Sequence, residues 1–178
     1  LTKHKSQGFR APTFSLNQSS SWVIDVLAEN NYIYDSSIIP AKSNMYGTPN
    51  AEHSPYRISS NSIEKNDSSG KLIEFPLLTT RFLGKKIPAA GGFYLRTLPT
   101  NVIKNAIKNY EKKGMPATFY IHSWELTPEF MPRLDLPLKD KFVTYHNLDK
   151  AYSRMSQLLK HFEFTSFSRY IAENEMMI

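Results

Sequence analysis

The chain predicts an α/β fold, and three observations carry that prediction. A short uncharged run, Ala117 to Ile121, lies behind Gly114 and Pro116 and reads as a buried strand of a parallel sheet. Ahead of it, Pro99 to Lys113 places Val102, Ile103, Ala106, Ile107 and Tyr110 at helical period, and Gly114 ends the helix after two lysines. Near the start, a strand, a helix and a second strand follow one another between Lys5 and Asp35, the unit that builds a parallel sheet.

The totals narrow the class further. At 178 residues, with 40% hydrophobic and 13% aromatic content, residues 1–178 suit a single globular domain with a real core. There is no cysteine, which excludes disulfides and thiolate metal sites. No apolar run approaches the length of a membrane span. Lysine and arginine exceed aspartate and glutamate by 22 to 16, a net charge of +6. No recognition motif accompanies that excess, so a nucleic-acid partner is not expected. Nor is there a phosphate-cradling glycine loop of the nucleotide-binding kinds.

The elements follow in order. Lys5 to Arg10 is the first strand. Ser19 or Ser20 caps a helix running to about Asn30, with Trp22, Val23, Val26 and Leu27 on its inner face. Tyr32 to Asp35 is the second strand, and Asp35 falls at its C-terminal end. Ile39 to Arg57 has three prolines and no periodicity, the mark of a long loop that is either functional or disordered. Ser59 to Gly70 is a polar insertion, either a mobile turn or the connection of a hairpin. Leu72 to Leu78 is a buried strand interrupted at Pro76. Gly91 and Gly92 permit a close backbone approach to another surface. Thr127 to Lys141 is a proline-rich loop, and Asp149 starts a last long helix with Tyr152, Met155, Leu159 and Phe162 inside. Phe162 to Phe164 suits a short strand, and Ser166 caps a terminal helix reaching Asn174.

Two stretches hold the chemistry. In Tyr120-Ile121-His122-Ser123-Trp124-Glu125, an ionisable imidazole sits at the C-terminal end of the central strand, where α/β proteins place their active groups. The competing reading of His122 is a satisfied core histidine. In Gly8-Phe9-Arg10-Ala11-Pro12-Thr13-Phe14-Ser15, a strand ends in arginine and a proline fixes the turn behind it. Rigid amides beside a fixed guanidinium suit the stabilisation of a developing negative charge.

Together with Tyr34-Asp35-Ser36-Ser37-Ile38, Glu74-Phe75-Pro76-Leu77 and Ala90-Gly91-Gly92-Phe93-Tyr94-Leu95-Arg96, these stretches span most of the chain in order. In that order they resemble the NodB-type polysaccharide deacetylases, carbohydrate esterase family 4, and within it the members associated with exopolysaccharide export. The resemblance implies the C-terminal portion of a distorted (β/α) barrel with a β-rich insertion, and hydrolysis of N-acetyl groups on a polysaccharide. It implies a divalent metal, zinc as a rule, held in the complete enzyme by one Asp and two His.

Position by position, His122 matches the acid that protonates the leaving amine. Arg10 matches the arginine that orients the base, and Asp35 matches the later aspartate that tunes the acid. The backbone amide of Thr13 matches the oxyanion donor. Because Thr13 stands where an aromatic is usual and Phe14 follows, the donor is either of the two. Trp124, Tyr46 and Tyr94 are the expected substrate-binding aromatics.

The family's Asp-Asp motif and its His-x-x-x-His pair do not occur, and no two of the five histidines are four apart. The resemblance therefore predicts a C-terminal fragment, with no metal on this chain alone. Its expected partners are an N-acetylated polysaccharide and the missing N-terminal segment of the same protein. The alternative from a different class is a non-catalytic carbohydrate-binding or scaffold protein.

Overall fold

In the computed structural model, which describes residues 5–42 and 47–176, three short strands run parallel. They are Gly8–Phe9 (β1), Tyr34–Asp35 (β2) and Leu72–Glu74 (β4), and Tyr56–Ile58 (β3) closes the sheet antiparallel to β4. The order is β1-β2-β4-β3, with Tyr34 opposite Ile73 and Asp35 opposite Glu74. The polar segment 59–70 is thus the connection of a hairpin. A second hairpin joins Thr79–Phe82 (β5) to Lys85–Pro88 (β6). Its turn places Leu83 at φ 48° and Gly84 at φ 77°. These strands make a mixed α/β fold. Among the described residues the sheet is open, not closed into the barrel that the resemblance implies.

The central run departs from its expectation. Leu77 and Thr118 make one isolated parallel bridge, with Leu78 N–H donating to the Thr118 carbonyl at 3.0 Å. Pro116 has no N–H to give, and Pro76 interrupts the neighbouring strand just before the bridge, so no longer ladder forms. Of Ala117 to Ile121 only Thr118 is buried. The run is an extended edge segment, still parallel to its neighbour, and it delivers the chain into a one-turn helix, Ser123–Leu126 (α4).

Trp22–Glu29 (α1) packs on one face of the sheet and Phe167–Glu173 (α7) on the other. Strand alternation explains this, since Leu72 joins the α1 cluster while Ile73 and Phe75 join Phe167, Tyr170 and Ile171. The buried stripe of α1 is Ile24 and Leu27; Trp22 is 63% exposed and Val26 is also exposed, contrary to the expected inner face. Its lead-in turn is capped by Asn17, whose Oδ1 accepts Ser19 N–H at 2.9 Å, in place of the expected serine.

The largest cluster gathers Gly92–Thr97 (α2), Thr100–Glu111 (α3) and Ala151–Leu159 (α6) around Leu77, Leu78 and Leu95. Helix α3 buries Ile103, Ala106, Ile107 and Tyr110, as its period predicts. Helix α6 buries Ala151 and Leu158 with Met155 partly covered, so Tyr152 and Leu159 face solvent instead of the core. The loop expected over 127–141 contains a helix, Leu138–Tyr145 (α5). No strand forms at 162–164. Ser166 Oγ accepts Arg169 N–H at 3.3 Å and caps α7, whose C-cap is Asn174. Among the described residues no helix is long and apolar enough to cross a membrane.

Candidate functional site

Arg96 anchors the site. It lies on α2, 1% exposed, and a buried guanidinium must be fully paired. Its Nε and Nη2 each reach Glu125 Oε1 at 3.0 Å. The remaining donors cap the end of α5, Nη1 bonding the His146 carbonyl at 2.7 Å and Nη2 the Val143 carbonyl at 3.0 Å. Arginine's planar fork suits this branched set of acceptors. Glu125 is equally buried, and the space for it exists because residue 92 is glycine. A Cβ there would stand 1.7 Å from Glu125 Oε2. Gly92 therefore serves a close approach, and the surface approached is this carboxylate, while Gly91 supplies a positive φ of 117° just before it.

Glu125 turns its second oxygen toward His122. Oε2 accepts the His122 backbone N–H at 3.1 Å and lies 3.1 Å from His122 Nδ1. Three residues apart at the start of α4, they bring the Glu125 carboxylate back onto the N-cap N–H, while Glu125 N–H bonds the His122 carbonyl at 3.1 Å. The indole of Trp124 stacks on the imidazole with centroids 5.2 Å apart. The far nitrogen, Nε2, is hydrogen-bonded to the Tyr120 hydroxyl. His122 is not a core histidine, since its side chain is 45% exposed.

Arg10 joins the same corner through Tyr120. Its guanidinium carbon lies 4.7 Å from the centre of the Tyr120 ring and 5.4 Å from that of Phe14, and Phe14 meets Tyr120 edge-on. Two bonds to Ser36 fix it, Nε to the carbonyl at 2.7 Å and Nη2 to Oγ at 2.6 Å. Burial pushes the Arg10 pKa down, with Glu74, Tyr120 and Asp35 opposing it. Behind Arg10 the chain bends sharply, with Thr13 and Phe14 both at positive φ. Phe14 N–H is committed to the Ala11 carbonyl at 3.0 Å, which leaves Thr13 as the better of the two oxyanion candidates.

Asp35 has different company from that expected. The carboxylate on His122 is Glu125, while Asp35 Oδ1 accepts from Ser37 Oγ, two residues further along the chain, at 2.7 Å. Ser37 Oγ in turn accepts Ala11 N–H at 2.7 Å, so Asp35 supports the turn behind Arg10. Asp35 faces Glu74 across the β2–β4 register, and its buried Oδ2 has no ordinary donor. Burial, the first cause in each, pushes both carboxyls above their usual range, and the charge of Asp35 adds to the rise in Glu74. Two buried acids set face to face favour the state in which one of them holds a proton.

Of the aromatics, Trp124 lies at the site. Tyr94, on α2, packs against the main core with its ring edge-on to Phe93. Tyr46 lies outside the described residues. Sequence reasoning did not single out Arg96, Tyr120 or the clamp role of Glu125. The signal for Glu125 was its spacing of three from His122, and for Tyr120 its spacing of two along an extended run. Among the described residues no group of three or more His, Asp or Glu side chains is placed to hold a metal ion.

The site is a surface-reaching imidazole clamped by a buried carboxylate and flanked by aromatics and a fixed arginine, on a mixed α/β scaffold. Residues 36–172 match the family described as a domain of unknown function, DUF3473, and the chain belongs to that family. No curated protein matches the chain, and no solved structure does.

Proposed function

We propose that the chain carries the acid side of a hydrolase site that removes N-acetyl groups from a polysaccharide. The observation that carries this reading is the clamp on His122: Nδ1 is held by a buried Glu125, and Nε2 faces outward on the same corner as Arg10. The matched family is associated with polysaccharide deacetylase-like proteins, which supports it. So does the succession of parallel neighbours, β1, β2, β4 and the segment at Thr118, which suits consecutive strands of a distorted (β/α) barrel.

The chemistry follows from the amide. Cleaving the acetyl C–N bond expels an amine, a poor leaving group until its nitrogen gains a proton. An imidazolium at the rim supplies that proton, and Glu125 stabilises the positive ring while fixing its orientation. Trp124 gives the ring a stacking wall and offers a sugar a flat apolar surface. The Thr13 amide, held rigid behind Pro12, is the candidate donor to the carbonyl oxygen as it gains negative charge. The resemblance implies that a divalent metal, zinc as a rule, activates the attacking water. The described residues do not fit such an ion, and no step here runs through it.

Acetate release from N-acetylated oligosaccharides by the gene-length protein, with zinc supplied, tests the proposal. In His122→Ala kcat falls by about a hundredfold to ten-thousandfold with the fold intact. Near-normal kcat in a well-folded His122→Ala removes the residue from the mechanism. A wild-type protein that retains the oligosaccharide and releases no acetate favours the carbohydrate-binding reading, for which the Trp124 platform is the supporting feature.

A further inference from the structure

The imidazole of His122 has two nitrogens, and both are engaged. Nδ1 lies against Glu125 Oε2. A carboxylate accepts and does not donate, so the bonding pattern assigns a proton to Nδ1. Glu125 has no freedom to turn, because Arg96 holds its other oxygen and the backbone of Gly92 packs against the carboxylate. Only Nε2 remains to meet a reacting group, and the Tyr120 hydroxyl is bonded to it. A proton moving along that direction, to or from His122, passes through the Tyr120 oxygen.

We propose that Tyr120 is a catalytic residue, the outer member of a Glu125–His122–Tyr120 relay that delivers the proton to the leaving amine. The proposal rests on the deacetylase reading above. In the loaded relay the imidazolium donates Nδ1–H to Glu125 and Nε2–H to the Tyr120 oxygen, while the phenol O–H points at the leaving nitrogen. As the acetyl C–N bond breaks, its electron pair passes to nitrogen. That nitrogen takes the Tyr120 proton, and the Tyr120 oxygen takes the proton from Nε2. The products are the free amine and acetic acid or its anion, and His122 is left neutral with its proton on Nδ1.

The surroundings of Tyr120 suit this role. Its hydroxyl bond lies at the exposed side of the site, within reach of a polymer. The Arg10 guanidinium over its ring favours the partial negative charge that the phenol oxygen carries during transfer. Burial raises the pKa of the hydroxyl, and Arg10 acts against that rise. The ring is held edge-on to both Phe14 and His122, with centroids 5.3 Å and 4.7 Å away, so the oxygen is aimed. A phenylalanine at 120 would keep the ring in the same space and leave Nε2 without its partner.

The substitution that tests this is Tyr120→Phe, which removes one oxygen and keeps the ring. On this chain, nitrogen NMR of labelled histidine reads both ring atoms of His122. The expected result is a displaced Nε2 resonance with the Nδ1 proton retained, and an unmoved Nε2 resonance overturns the relay. In the gene-length protein, kinetics on N-acetylglucosamine oligomers should show kcat reduced roughly tenfold or more with KM nearly unchanged. The double variant Tyr120→Phe with His122→Ala should be no slower than His122→Ala alone, since one relay is broken once. Undiminished kcat in Tyr120→Phe, or losses that multiply in the double variant, overturns the relay and leaves the deacetylase reading standing. A wild-type protein that releases no acetate overturns both.

Discussion

Glu125 and Glu74 are two carboxyls buried to the same depth, 1% and 0% exposed, and the molecule uses them in opposite ways. Glu125 faces the guanidinium of Arg96 and forms an ion pair whose every visible acceptor and donor is used. Glu74 faces Asp35, so burial and then its neighbour's charge push it toward the protonated form. Its oxygens take the Ile38 N–H at 3.0 Å and, more weakly, the Ser37 N–H at 3.4 Å. The difference teaches that burial alone does not set the state of an acid; the residue brought against it does. One arrangement aims a charge outward through His122 toward solvent. The other is a fastener between two parallel strands, and it holds the turn behind Arg10 through Ser37.

Breaking the ion pair should have the largest effect. Glu125→Ala strands a buried guanidinium without its counter-charge, and the expected loss is about 3–5 kcal/mol in a urea titration. Arg96 would keep its bonds to the α5 carbonyls, so a loss below about 1 kcal/mol would show that those acceptors suffice and that the ion pair is incidental.

Crowding the same pair should cost less. Gly92→Ala puts a methyl 1.7 Å from Glu125 Oε2, and the carboxylate is pinned by Arg96, so α2 or α4 must shift. Overpacking of this kind costs about 1–3 kcal/mol. A thermal melt measures the loss, and the histidine resonances of His122 should move with it. A variant as stable as wild type, with unmoved resonances, would contradict the close approach.

Glu74→Gln should have the smallest effect at mildly acid pH and reverse sign above it. Both acids of the pair have raised pKa values in the fold. Their contribution is therefore complete below the ordinary carboxylate range and declines as pH climbs through the raised values. The glutamine amide donates to Asp35 and has no proton to lose. The variant should fall within about 1 kcal/mol of wild type in acid and show a flatter decline of Tm toward alkaline pH. Parallel Tm profiles for the two proteins would show that the acids do not share a proton.

Several features were legible because they depend on neighbours in sequence. The period of Ile103, Ala106, Ile107 and Tyr110 marks α3, Ser166 marks the start of α7, and short runs broken by turn residues mark β1, β2 and β4 along the chain. Arg10 and His122 were both placed at strand ends, and the structure brings them to one corner through Tyr120. The hairpin of β5 and β6 was hidden because its turn sets Leu83 at positive φ, where glycine or asparagine is the usual sign. Helix α5 was hidden because it buries no residue and is held from outside by Arg96.

What the sequence by itself determined is the class of the fold, the periodic face of α3 and the two stretches from which the site is built. These are set by residues within a turn or a strand of one another. Only the tertiary structure decided that Arg96 meets Glu125 across 29 residues, that Gly92 makes room for them, and that Asp35 lies against Glu74 and not against His122. The state of a buried acid depends on which distant side chain is packed against it, and that choice is made by the fold as a whole.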